Sequence, residues 1–293
     1  MSTAPTTTTT ATASPAPAIS SPPRANGRVH LSFARLVRSE WIKFTTVRST
    51  WWSIGLVAAL SLGLSLLMAA SYASFAGGAP AGQQPDSGGI AIQVITFSTV
   101  LTQLLAVILG AIAVTGEYST GMIRSTLTAA PRRIAALLAK ALVVGAAMFV
   151  ISVVVFALAA MVTTPILGAN GLDLGDPGSA LPPLLGAALY LALMSVMGVG
   201  LGFAIRNGPG TLAVGIGIVF VAPILVGFFP RVDDFAWIHD LASFLPSNAG
   251  QSLFLSGGMS GNPLDTVPAL ITIVLWAVAA VIGGSAVLAS RDA

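Results

Sequence analysis

Cysteine is absent from the 293 residues. That excludes disulfides, thiolate metal sites and cysteine nucleophiles together. Histidine occurs twice, as His30 and His239. The topology argued below puts them on opposite sides of a membrane, so no His-based metal site forms within one subunit. The only lysines are Lys43, after Ile42, and Lys140, after Ala139. Neither stands in the Gly-x-x-x-x-Gly-Lys-Ser/Thr loop that cradles nucleotide phosphates, so the chain is not expected to hydrolyse ATP unaided. No His-Glu-x-x-His stretch occurs, and no serine has a credible histidine activator on its own side. Intramembrane catalysis is therefore not expected.

Charge is the other scarcity. Charged residues are 8% of the chain and apolar ones 55%, against roughly 25% charge in a soluble domain. This composition belongs to an integral membrane protein. Six stretches carry no charge at all: 49–85, 87–116, 141–172, 177–205, 207–230 and 266–290. Each is long enough to contain a span of about 20 predominantly apolar residues, the length that crosses roughly 30 Å of hydrocarbon.

Spans are placed near 51–72, 91–115, 138–163, 182–205, 210–229 and 267–289. With the N-terminus inside, Arg24, Arg28, Arg35, Arg38, Lys43, Arg48, Arg124, Arg132, Arg133, Lys140, Arg206 and Arg291 share one side, and Arg231 alone lies outside. Asp86, Asp173, Asp176, Asp233, Asp234, Asp240 and Asp265 fall on the opposite side. Basic bias in short loops sets orientation. The fold class expected is an all-α polytopic membrane protein with six transmembrane helices and both termini cytoplasmic. A pI near 9.8 would suggest nucleic acid in a soluble chain. Here the bases flank spans, so anionic membrane lipid is the better partner and no nucleic acid is expected.

Residues 1–28 are Thr, Ala, Ser and Pro with few large apolar side chains, a composition that cannot bury a core and reads as a disordered cytoplasmic tail. It lacks the apolar segment of a cleavable signal peptide. An amphipathic interfacial helix is expected over 32–50, ahead of a transmembrane domain over 51–289. At about 100° per residue, Phe33, Leu36, Val37, Trp41, Phe44, Val47 and Trp51 share a face. Arg35, Arg38, Lys43 and Thr46 oppose them, while Glu40 and Arg48 intrude on the apolar side. The alternative is a plain charged flank anchoring the first span. The outer connection 230–266 is too apolar for a solvated loop and reads as one or two short helices against the outer leaflet.

Within the second span, Gln93, Thr96, Thr99 and Gln103 recur at helical spacing. Such a stripe faces either a partner helix, through ordinary hydrogen bonds, or a passage. Gly198 and Gly202, with Gly200 between, read as close helix packing. The uncharged stretches lack Asp, Glu, Lys, Arg and His, the groups that commonly drive ion-coupled carriers from mid-membrane. Energy for uphill transport is then expected from another subunit. Segment 116–133, GEYSTGMIRSTLTAAPRR, lies at the inner mouth between spans two and three. Its Glu117 is either a solvated end-of-span acid with a weak surface pair or part of a rigid handle for a cytoplasmic protein.

These residues resemble the permease subunits of type-two ABC exporters, in a form common among actinobacterial members. SEWIKFTTVRSTWW (39–52) is similar to the family's connecting helix entering span one, where Trp41, Lys43 and Arg48 match. GEYSTGMIRSTLTAAPRR, with Lys140 beyond it, is similar to the ATPase-coupling stretch, where Glu117, Gly121, Arg124, Pro131 and Arg133 match. The resemblance covers about 32–289. It implies a coupling helix within 117–130 that docks on a separately encoded ATP-binding subunit, which would carry the ATP and Mg. This chain itself would hold no cofactor or metal. It further implies a dimer with a second copy or sister permease in the bacterial cell membrane. Gln93, Thr96, Thr99 and Gln103 would be candidates for the translocation path. A non-transporting scaffold or sensor subunit, or an ion-coupled carrier, remains as an alternative with the same topology.

Overall fold

A computed structural model describes residues 32–76, 87–123, 133–172, 174–230, 232–255 and 264–290. Helix α1, Phe33–Thr46, starts at Ser32, whose hydroxyl accepts from the Arg35 amide at 3.4 Å, a side-chain cap for an orphan N–H. The stretch expected as one amphipathic helix is interrupted. Val47 is extended, and α2 runs on from Arg48 to Ala76. The Trp51 indole donates to the Thr45 carbonyl at 2.8 Å, so an α2 side chain caps the end of α1. Phe33, Trp41, Trp51 and Trp52 are exposed, as suits aromatic groups at a lipid interface.

The second span is also broken. Helix α3, Ser87–Thr96, and helix α4, Thr99–Ser119, flank a turn at Phe97 and Ser98. Beside the break, the buried Ser65 hydroxyl of α2 donates to the Ile95 carbonyl at 2.8 Å. Non-helical backbone at membrane depth survives where neighbours satisfy it in this way. Helix α5, Arg133–Gly168, has 36 residues, about 54 Å at 1.5 Å per residue. It is therefore longer than the hydrocarbon layer. Helix α6, Pro177–Ile205, ends at Arg206, which adopts φ 58° and closes the helix with a bond from its N–H to the Gly202 carbonyl.

The fifth span changes pitch. Helix α7, Gly208–Ile216, begins at Asn207, whose side chain accepts from Gly210 N–H at 2.9 Å. A π-helical turn, Gly217–Val221, follows, then α8, Ala222–Gly227. Pro223 has no N–H and would clash with the carbonyl one turn back, so the backbone widens ahead of it. Between α8 and α11 the described residues include two short α-helices: α9, Ala236–Ser243, and α10, Pro246–Gln251. The Trp276 indole donates to the Phe244 carbonyl, and Tyr190 packs on Phe254. Helix α11, Thr266–Ser290, is the last.

Among the described residues, six helices are long and apolar enough to cross a membrane: Arg48–Ser74, Thr99–Ser119, Arg133–Gly168, Gly178–Ile205, Gly208–Gly227 and Thr266–Ser290. The protein is an all-helical multi-pass membrane protein. Lipid offers no hydrophobic drive between helices, so close packing must hold them. Helix α6 is the hub, packed on α4, α5 and α11, with Tyr190, Leu191, Met194, Met197 and Phe203 fully buried. The small residues decide how near it comes. A Cβ on Gly110 would stand 2.0 Å from the Ser195 carbonyl oxygen, and one on Gly198 would stand 2.2 Å from that of Val107. Glycine is required at both faces of the α4–α6 crossing, in line with the packing expected of Gly198.

Candidate functional site

Each helix that crosses reverses direction, so the start of α2, the end of α4, the start of α5, the end of α6 and the end of α11 share one end of the bundle. Most of the basic residues gather there, and so do the charged contacts. Lys140 of α5 donates to Glu40 Oε2 at 2.5 Å and to Glu117 Oε1 at 2.9 Å. Lys43 of α1 donates to Glu40 Oε1 at 2.8 Å and to Glu117 Oε1 at 3.0 Å. Two carboxylates and two ammoniums thus form a closed ring over three helices.

The ring is dry on three sides. Glu40, Glu117 and Lys140 are each at most 5% exposed, while Lys43 keeps 28% of its side chain in contact with the surroundings. Buried charges of this kind persist only when paired. Burial by itself pushes the Glu40 carboxyl up. The Lys140 ammonium, supported by Lys43, outweighs that and holds it below its ordinary value. Burial likewise pulls the Lys43 ammonium down, and its bonds to Glu40 and Glu117 more than reverse it, so its pKa is raised. Both groups are therefore ionised at neutral pH, and the ring is a permanent fastening between α1, α4 and α5.

Two further fastenings sit at the same end. The Arg206 guanidinium donates to the Val287 carbonyl at 2.8 Å and lies 5.7 Å from the centre of the Tyr118 ring. Arg133 donates to the Leu288 carbonyl at 3.4 Å. Cations here meet the carbonyl end of α11, where the helix dipole favours them.

The sequence candidates separate accordingly. Glu117 is buried in the ring, paired with Lys43 and Lys140 rather than standing as a solvated acid. Lys43 joins it; Trp41 is half exposed and stacks on Phe44 with centroids 6.2 Å apart; Arg48 is exposed at the start of α2. Gly121 ends α4 in the left-handed region, φ 72°, where glycine is the favoured helix terminator. Arg124 and Pro131, with most of the expected coupling helix, lie outside the described residues, as does the 1–28 tail. Arg133 opens α5 and faces α11, away from Glu117's ring.

The polar stripe lies inward. Thr96, Thr99 and Gln103 are buried, and Gln93 is half-buried. Thr96 and Thr99 donate to the carbonyls of Ile92 and Thr96. Gln103 accepts from the Tyr190 hydroxyl and donates to the Val100 carbonyl. Gln103 alone bonds across to α6, while the Thr96 and Thr99 hydroxyls are taken up by carbonyls of α3. Sequence reasoning gave no role to Glu40 and none beyond resemblance to Lys140. The available signal was a carboxylate on the apolar side of an amphipathic helix, which requires a hidden cation.

Two comparisons bear on what this assembly belongs to. Among curated proteins, none matches the chain. The family described as ABC-2 family transporter protein matches residues 80–288, a stretch that takes in five of the six spans, Glu117 and Lys140. The chain belongs to that family of ABC transporter membrane permeases.

Proposed function

We propose that this permease is the membrane half of an ATP-driven exporter in a bacterial cytoplasmic membrane. It would work as a dimer, with both termini inside, powered by a separately encoded subunit that binds ATP and Mg. The observation that carries this reading is the buried ring of Glu40, Lys43, Glu117 and Lys140. It ties the interfacial helix to both helices that flank segment 120–132, the stretch where a partner would dock.

Mechanically, a push on that segment reaches α4 through Glu117 and α5 through Lys140. Because both residues grip α1, the three helices move as one body. Packed interfaces switch between discrete arrangements rather than deforming smoothly. The breaks at Phe97–Ser98 and at the π turn before Pro223 are where spans two and five can change direction. Solute would pass between two copies of the chain. Gln93 is the stripe residue left half-exposed for it, and the sparsely covered outer faces of α2, α7 and α8 would supply much of the remaining wall.

The test is reconstitution with the ATP-binding subunit that affinity capture of the intact chain recovers. Glu117→Gln and Arg124→Ala should leave insertion and ATP hydrolysis in place while export per ATP falls. Normal export by both variants would remove the docking role of segment 120–132. Export by the chain without any ATPase would favour the ion-coupled alternative, and no export with the ATPase present would favour the scaffold.

A further inference from the structure

On a different face of α1 from Glu40 and Lys43, a hollow of about 300 Å³ lies between α1, the start of α2 and α5. Trp41 and Phe44 of α1, Trp51 and Ile54 of α2, and Ala146 and Val150 of α5 form most of its wall. We propose that this hollow seats an acyl chain of an anionic membrane lipid, whose phosphate is held by Arg38 and Arg48.

The wall suits an apolar chain. Thr45, which also borders the hollow, donates its hydroxyl to the Trp41 carbonyl at 3.0 Å, and the Trp51 indole donates to the Thr45 carbonyl at 2.8 Å. Both protons are therefore spent on backbone. Trp41 is half exposed and stacks on Phe44, an amphipathic ring where chain would meet head. Ala146 and Ala147 are the small residues that leave the space open. The stretch 146–151 covers about 7.5 Å of helix, so the hollow takes only the part of the chain nearest the head. Further along α5, Val150, Val154 and Leu158 are exposed. Their four-residue spacing gives the rest of the chain a continuous apolar ridge to follow.

The charges beside the hollow select the head. Arg38 stands three residues before Trp41 and seven before Thr45, on their side of α1, and Arg48 stands one turn before Trp51 in α2. Both arginines are exposed, and among the described residues neither side chain has a hydrogen bond or ion pair. Lys43, Lys140, Arg133 and Arg206, by contrast, spend theirs on carboxylates or carbonyls. The described acids at this end, Glu40 and Glu117, are both committed to the lysines. Two cations are thus left uncompensated, and guanidinium matches phosphate in bidentate fashion. A phosphatidylcholine head brings its own cation, which cancels part of that attraction. Basic residues draw anionic lipid in general; the hollow gives that attraction one place and a limited number of occupants.

Binding rests on this geometry and not on the permease reading, so the experiment uses the full chain without any ATPase, in phosphatidylcholine nanodiscs. Phosphatidylglycerol and phosphatidylcholine probes carrying the same diazirine-bearing acyl chain are photo-crosslinked at constant ionic strength. The phosphatidylglycerol probe should label residues 146–151 saturably and exceed the phosphatidylcholine probe by about fivefold or more, the ratio one basic residue at a membrane surface provides. Arg38→Gln combined with Arg48→Gln changes only exposed side chains and should erase that preference. Ala146 is exposed as well as lining the hollow, so Ala146→Phe should fold, fill the space and abolish saturable labelling; if it does not fold, the arginine pair alone decides. Excess inorganic phosphate should leave the labelling in place, because it lacks the chain. Equal labelling by the two probes overturns the proposal, as does a preference that survives loss of both arginines. Displacement by inorganic phosphate, or saturable labelling of a folded Ala146→Phe, would equally rule out a lipid seat.

Discussion

Lys140 and Glu40 stand 100 positions apart in the chain and meet at 2.5 Å, each at most 5% exposed. The contact joins α1 to α5 without passing through the backbone between them. Replacing one partner strands the other. Lys140→Ala leaves two buried carboxylates sharing Lys43, which should destabilise the protein by about 3–5 kcal/mol. Replacing both Glu40 and Lys140 by Gln and Met should cost much less than the sum of the single changes. Melting of detergent-solubilised variants, arranged as a double-mutant cycle, measures the coupling.

The same ring sets a pH dependence whose sign can be worked out. Glu40 is held below its ordinary value of 4.5, so its stabilising effect is complete above 4.5 and is lost as pH falls through the lower folded value. Lys43 is raised above 10.5, so its contribution is complete below 10.5 and is lost as pH climbs past the raised value. Thermal stability owed to the ring should be level across the neutral range and decline at both extremes. Glu40→Gln should remove this group's share of the acid decline, seen as a smaller difference between melting points at neutral pH and below 4.5.

Glu40 was legible in the sequence as an oddity, a carboxylate on the apolar face of a helix. Its partner was not, because helical periodicity reports which side a residue faces and never which distant helix lies there. The six spans were legible because a run of uncharged apolar residues admits few other fates. The interruption at Phe97–Ser98 carried no signal, since neither residue breaks helices as Pro or Gly does. The widened turn ahead of Pro223 was not read from the sequence either, although a proline within a span is the residue that could have marked it. Thr96, Thr99 and Gln103 were legible as one face of a helix, and only packing shows that Gln103 meets Tyr190 of α6.

Gln103 and Tyr190 offer a milder test. The Tyr190 hydroxyl donates to the Gln103 side-chain oxygen where both are buried. Hydrogen bonds between membrane helices are worth about 0.6 kcal/mol on average and at most about 1.7. Tyr190→Phe should lower stability within that range and leave the fold intact. Gln103→Leu with Tyr190→Phe should behave much like either change alone, because both polar ends then disappear. Steric unfolding of the single variants, or full additivity, would show that the pair is not a unit.

Glycine at the α4–α6 crossing has an internal control. At Gly198 an added Cβ would stand 2.2 Å from the Val107 carbonyl oxygen, and backbone cannot yield as a flexible side chain does. At Gly63, in α2, an added Cβ meets nothing within 4 Å. Gly198→Leu should therefore force α6 away from α4 and deplete folded protein, while Gly63→Leu should be tolerated and gain a little helix propensity, about 1 kcal/mol or less. The two changes add the same side chain to the same kind of helix in the same lipid. Hydropathy and insertion are thereby held constant, and only the distance to the neighbouring backbone differs. Monodisperse yield after detergent extraction separates the outcomes. Equal yields would mean that the crossing is looser than 2.2 Å allows, and the hub role of α6 would have to rest on its side chains alone.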